Sequence, residues 1–271
     1  MKRQRLNWQE KVRKNVRKIM DFEHVKAVFE EYLNGYDREN DKVKLKIVHT
    51  YGVIRCSEEI GRRMGLQAED MELAKLIALL HDIGRFEQLK RFNSFEADTM
   101  DHATYGVKVL FEEGMIRQFI EEDTWDDVIR TAIAKHSDYE LTGITDERTL
   151  LHARLIRDAD KLDNCRVKLE DAMETLLDLS ADEVGKYAIS PKVREDAFAG
   201  KCICSKDRRT PMDYWVSYVA YFYDLNFQET LDIVAEEQYV KRIIGRVPYT
   251  NEQTKKTMEE LERQLTEYVR R

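Results

Sequence analysis

Leu79-Leu80-His81-Asp82-Ile83-Gly84-Arg85 closes an apolar run in which Met71, Ala74, Ile77, Ala78 and Leu80 recur at helical spacing. A run of that kind predicts a buried helix, and the glycine that follows reads as its stop. A histidine and a carboxylate therefore stand side by side at the end of a buried helix. A carboxylate in such a place needs a cation or several hydrogen-bond donors to offset its lost hydration. The imidazole beside it is a good ligand for a first-row metal. Two adjacent residues carry little alone, because a metal site needs further ligands from elsewhere in the chain.

Upstream, Phe22, Val25, Val28, Phe29, Tyr32 and Leu33 mark an amphipathic helix over residues 21–34. His24 on it has no partner motif and reads as a surface or packing residue. A longer helix is expected from Asp41 to Met64, with Leu45, Val48, Tyr51 and Cys56 along it and His49 in its middle. Downstream, residues 86–100 are of mixed polarity and read as a loop beside the helix end. Asp101-His102 then opens a helix containing Tyr105, Val109, Leu110 and Phe111. Gly106, one turn after His102, permits close approach of another helix.

Trp125, Val128, Ile129, Ala132 and Ile133 predict a helix over 123–136 that ends at His136. Another is expected over 147–167, and within it Asp160 lies between apolar positions in Ile156-Arg157-Asp158-Ala159-Asp160-Lys161-Leu162-Asp163. Asp158 and Asp163 could face solvent, cap a helix or orient a ligand, so periodicity does not single out Asp160 by itself. Beyond residue 170 the pattern stays helical without further suspected ligands. Ser180-Ala181-Asp182-Glu183 resembles a helix start, and residues 190–211, with Pro191, Gly200 and Pro211, form an excursion from the core. Trp215, Val219 and Phe222 make a core stripe, with a cavity lining as the alternative. Met258, Leu261, Leu265 and Tyr268 define a terminal helix that either packs on the body or makes a contact between copies, which leaves a homo-oligomer open.

The 271 residues can bury a large core. A net charge of -7, with 36% charged residues, fits a soluble chain, and no apolar run approaches the roughly 20 residues of a membrane span. There is no signal-like apolar segment, so a cytoplasmic protein is the expectation. Cys56, Cys165, Cys202 and Cys204 read as free or packed thiols. The first twenty residues are basic, from Lys2 to Lys18, but lack aromatic interleaving. They read as a solvated or docking arm, and nucleic acid is not the expected partner. Neither a Ser-His-Asp arrangement nor a glycine-rich phosphate loop is present, which excludes covalent hydrolase and P-loop chemistry.

Taken in order, His49, His81-Asp82, His102, His136 and Asp160 resemble the ligand set of the HD-domain superfamily of metal-dependent phosphohydrolases, over roughly residues 40 to 165. The resemblance implies an all-α fold: a helical bundle with a metal-binding core at 39–170, an N-terminal helical extension at 1–38 and C-terminal helices at 171–271 packed on the same domain. It implies that His49, His81, Asp82 and Asp160 hold one metal. His102 and His136 match the extra pair of binuclear members, which hold a second metal together with Asp82. The implied cofactors are two divalent transition metals, with manganese or iron favoured and cobalt, nickel, zinc or magnesium open. Asp101 and Asp158 are candidates for orienting a histidine ligand.

The implied chemistry is hydrolysis of a phosphomonoester or phosphodiester by metal-bound hydroxide, and the expected partner is a phosphorylated small molecule, a nucleotide among the options. Asp82 and Arg85 are the candidate catalytic residues. A guanidinium at Arg85 offers directed donors to a phosphate oxygen, a role for which Lys161 is a weaker candidate. The Gly-Tyr-Pro signature of the cyclic-di-GMP subgroup is missing after His81-Asp82, which lowers that substrate. The alternatives are a metal-containing nucleotide sensor without efficient turnover and, third, a structural partner protein.

Overall fold

The computed structural model describes residues 20–96 and 98–271, and the basic run at 2–18 lies outside them. The described residues form helices and no strand, an all-α fold. In chain order these are α1 (Phe22–Leu33), α2 (Asp41–Met64), α3 (Ala68–Leu80), α4 (Ile83–Phe92), α5 (His102–Val107), α6 (Ile116–Phe119), α7 (Asp126–Lys135) and α8 (Glu147–Glu170). The C-terminal set is α9 (Met173–Leu177), α10 (Ala181–Val184), α11 (Pro191–Phe198), α12 (Pro211–Ala220), α13 (Gln228–Glu236), α14 (Tyr239–Ile244) and α15 (Glu252–Tyr268).

Local chemistry sets the ends of the two longest helices. The Asn40 side chain accepts from the backbone N–H of Lys42 and Val43 and starts α2, and Gly65, at φ 70°, ends it in a left-handed conformation that glycine adopts without cost. Asp146 caps α8 by accepting from Thr149 N at 2.8 Å. α2 runs along α8 and α3, and α7 lies against α8 and α5. Leu73, Leu76, Ile77, Leu79 and Leu80 of α3 are buried between these neighbours, and every residue from Leu76 to Leu80 is buried, so the C-terminal part of α3 is apolar on all sides. That is how His81 and Asp82 come to emerge inside the molecule.

The C-terminal helices close over the same core. α13 packs on α2 and α8, α14 on α8, and α15 on α14 and α11. Buried apolar side chains from Phe22 to Val269 form one continuous cluster. Met258, Leu261 and Leu265 of α15 are buried within the chain. Trp215, Val219 and Phe222 are likewise core residues.

One expected loop is largely a helix. Residues 83–92 form α4, because Ile83, Phe86 and Leu89 are spaced three apart and all buried. Gly84 is not a stop. It lies at the start of α4, where a Cβ would stand 2.2 Å from His102 O and 2.7 Å from Gly106 N. The glycine answers to the close approach of α4 and α5, the same contact that Gly106 permits.

Candidate metal centre

Six side chains from five places in the chain converge. His49 Nε2 lies 2.9 Å from Asp160 Oδ1, and His81 Nε2 lies 3.9 Å from the same oxygen. His102 Nε2 and His136 Nε2 are 3.1 Å apart and lie 3.2 and 3.6 Å from Asp82 Oδ1. The other Asp82 oxygen, Oδ2, faces His81 Nε2 at 3.5 Å. Two groups result, His49/His81/Asp160 and Asp82/His102/His136, each with ligand atoms close enough to share one ion. Asp82 presents one oxygen toward each.

The outer ring nitrogens decide which atoms face inward. His81 and His136 both cap helices, and each donates Nδ1–H to the carbonyl three residues back, Ala78 O and Ile133 O, both at 2.7 Å. Carbonyls at a helix end are short of backbone donors, although Ile133 O also takes the His136 backbone N–H at 3.5 Å. A neutral imidazole that donates through Nδ1 has a bare lone pair at Nε2. His49 Nδ1 is 2.8 Å from Asp163 Oδ2, and Asp163 in turn accepts from Arg166 Nε and Nη2, both at 2.9 Å. Arg85 Nη2 donates to His102 Nε2 at 2.9 Å, which makes that nitrogen an acceptor too.

Two acceptor imidazole nitrogens, one of them already taking the Arg85 donor, therefore face each other at 3.1 Å beside a carboxylate oxygen, and His81 Nε2 is buried without any hydrogen-bond partner. Acceptors converging in this way repel unless a cation lies among them. The donor set fits a borderline metal with imidazole and carboxylate ligands better than an all-oxygen calcium site.

The titration behaviour agrees with that reading. Burial pushes His81 down to about 4, and burial with the charge of Arg85 pushes His102 down to about 3, so both are neutral at ordinary pH, the form in which an imidazole can bind a metal. Burial alone would raise Asp82, but the nearby Lys46 charge and the surrounding imidazoles hold it well below the carboxylate range. Burial alone would raise Asp160 as well, but the contact with His49 and the charges of His49, His81 and Lys46 together hold it below the carboxylate range. Lys46 Nζ sits 2.6 Å from Asp82 Oδ2, and Arg85 Nε lies 3.7 Å from Oδ1.

The two carboxylates expected to orient histidines do other work. Asp101 accepts from Thr104 N at 3.1 Å and from Thr104 Oγ1 at 2.6 Å and so caps α5. Asp158 accepts from Asn226, Phe227 and Thr230 and anchors the start of α13. The orienting carboxylate is Asp163, for which Gly52 makes room: a Cβ there would fall 1.9 Å from Asp163 Oδ1. Lys161 lines the cavity but is paired with Asp224 at 2.7 Å. His24 is exposed and bonds to Gln118 O, away from the centre.

The centre forms part of the wall of a cavity of about 870 Å³. Residues 202–205 and 208–211, within the expected excursion, return to line it, together with Tyr214, Tyr218 and Tyr221 of the turns that follow. The tyrosines stand one residue before Trp215, Val219 and Phe222, so adjacent faces of one segment serve core and cavity.

An all-α protein with a buried His/Asp centre at the wall of a large cavity is the class these features define. Residues 47–165 match the family described as HD domain. No curated protein and no solved structure is significantly similar to the chain. The HD domain is the fold of a superfamily of metal-dependent phosphohydrolases, whose members bind divalent metals. Among the described residues no helix is long and apolar enough to cross a membrane.

Proposed function

We propose that the protein is a binuclear metal-dependent phosphohydrolase that cleaves a phosphomonoester or phosphodiester, its substrate a nucleotide or another small phosphorylated metabolite. The observation that carries this reading is the position of Asp82, with Oδ1 toward His102 and His136 and Oδ2 toward His81. His49, His81, Asp160 and Asp82 would hold one divalent transition metal, and His102, His136 and Asp82 the second, with manganese or iron favoured. When bound, such cations lower the pKa of water and neutralise charge on phosphoryl oxygens.

The chain's own residues supply binding and orientation. Arg85 has a buried Nε–H without a partner, next to Asp82, and this free donor can meet a nonbridging phosphate oxygen. Gln88 Oε1 and Phe95 O accept from its Nη1 and hold the guanidinium in place. Lys46 offers a second cation on the opposite oxygen of Asp82.

The test is to purify the protein with manganese or iron, measure bound metal by plasma mass spectrometry, and screen phosphate esters beside an active HD-family enzyme. Two metals per chain and turnover are expected. In Asp82→Ala both metals should be lost and activity should fall by about a thousandfold or more. Arg85→Ala should keep the metals and lose about ten- to a hundredfold in kcat/KM. Tight nucleotide binding without turnover in protein carrying two metals would place it among sensors instead.

A further inference from the structure

Lys168, near the end of α8, has no part in the chemistry above. It is 6% exposed, and it lines the same cavity as Asp82, His136 and Asp160. One of its N–H donors reaches Asn164 Oδ1 at 3.3 Å, and the Tyr218 ring lies 3.9 Å from Nζ. Among the described residues no carboxylate lies within ion-pair distance of it, and Asp160 and Asp171 attract it only from further away. The other deeply buried cation, Arg157, shows the contrast: it is paired with Asp224 at 2.6 Å and donates to the carbonyls of Lys135, His136 and Asp138. A buried ammonium without a counter-charge is costly. Burial and the neighbouring charge of Lys46 push the Lys168 amine down to about 8, a shift that an anion would reverse.

Asn164 ties this ammonium to the centre. Its Nδ2 donates to Asp160 Oδ1 at 2.9 Å while its Oδ1 accepts from Lys168, so two hydrogen bonds separate the ammonium from a carboxylate of the candidate centre. We propose that Lys168, held by Asn164 and Tyr218, receives a second anionic group of the substrate, a phosphate or carboxylate carried apart from the scissile phosphate ester. This rests on the phosphohydrolase reading and narrows it. A phosphate ester of an uncharged alcohol leaves the Lys168 ammonium without an anion in contact, whereas a substrate with two separated anions satisfies both ends of the cavity.

Calorimetric titration of the manganese-loaded protein tests this with alkylphosphonates from methyl to butyl, against ω-phosphonocarboxylates and α,ω-bisphosphonates of matched length. At one chain length the second anion should tighten Kd by about tenfold or more. Whichever of carboxylate and phosphonate gives the larger gain names the second group. Lys168→Met and Lys168→Gln should each abolish the gain while leaving alkylphosphonate affinity unchanged, which also shows that the variants fold. Alkylphosphonate binding with no gain at any length, or a gain that survives in both variants, overturns the assignment of Lys168 alone. If no phosphonate binds, this inference and the phosphohydrolase reading fall together.

Discussion

His49 and Asp160 stand in the middle of two 24-residue helices that lie along each other, and His81 caps a 13-residue helix buried between its neighbours. His102 and His136 stand at the ends of helices of six and ten residues. The first group is thus held by helix bodies and by Asp163 behind His49. The second depends on how helix ends meet, above all where Gly84 of α4 lies against the backbone of α5. The difference teaches that two candidate ligand groups meeting at Asp82 have separate mechanical supports, so under the proposed binuclear reading a change remote from them should remove one and spare the other.

Gly84→Ala should break the pair most sharply. The new Cβ would meet His102 O at 2.2 Å and Gly106 N at 2.7 Å, and backbone atoms of a packed helix cannot swing aside as a side chain can. α5 must move, taking His102 from His136 and Asp82. Overpacking of this kind costs about 3 kcal/mol, which corresponds to a loss of more than about a hundredfold in metal affinity at the second group. Metal analysis should then find one ion per chain where two are expected of the parent. Two ions with undiminished affinity would show that α5 is not held by this contact.

A pH titration compares the groups through one histidine from each. Burial lowers His81 to about 4, and burial with Arg85 lowers His102 to about 3, both from 6.5. Between pH 6.5 and those values the unfolded chain binds protons that the folded site refuses. Stability is therefore fully present above pH 6.5 and is lost as pH falls through the window. For His81 the loss is about 3 kcal/mol by pH 4. Denaturant unfolding of metal-free protein from pH 7 to 4 measures it. His152, buried beside Asp70, is pushed the same way, so the share belonging to the centre is the part of the slope that disappears in His81→Gln. An unchanged slope in that variant would place the proton uptake elsewhere.

Asp163→Asn tests the support of the first group. His49 Nδ1 would lose its carboxylate partner at 2.8 Å while the ligand atom, Nε2, stays in place. Removal of a partner that orients a ligating histidine costs about ten- to a hundredfold in metal affinity. The loss should fall on one ion of the two, the reverse of the ion lost in Gly84→Ala. The double variant should therefore bind neither ion tightly.

Much of this arrangement was legible in residue order. The helix expected over Asp41–Met64 has those bounds in the structure, because Asn40 and Gly65 are strong local signals. The candidate ligand set was legible through resemblance: periodicity placed these histidines and aspartates on helices without singling out Asp160, and their order along the chain resembles that of the HD-domain superfamily. Asp163 was harder, since its role depends on what stands opposite. Asp160 and Asp163 are three residues apart and share a face, as do His49 and Gly52, and that pairing of two faces was the available signal. α4 was hidden because Gly84 looks like a stop when its real cause, the backbone of α5, lies some twenty residues away. Lys46 and Lys168 carried no local signal, since a helix lysine is ordinarily solvated and only the fold buries these two.

Asp101 sharpens the comparison with the smallest expected effect. It precedes His102, and a carboxylate beside a ligand invites the reading that its charge tunes the imidazole. Its oxygens instead accept from Thr104 N and Oγ1, which makes it the cap of the six-residue helix that carries His102. Asp101→Ala should cost about 1 kcal/mol of stability, seen as a lower unfolding midpoint in denaturant. Asp101→Asn, which keeps an accepting oxygen, should cost only about a few tenths. Both variants should retain two metals, because neither brings a new atom against α5. Loss of the second ion in Asp101→Asn, with stability intact, would mean that the negative charge acts on His102 directly, and the second group would then depend on electrostatics as well as on how helix ends meet.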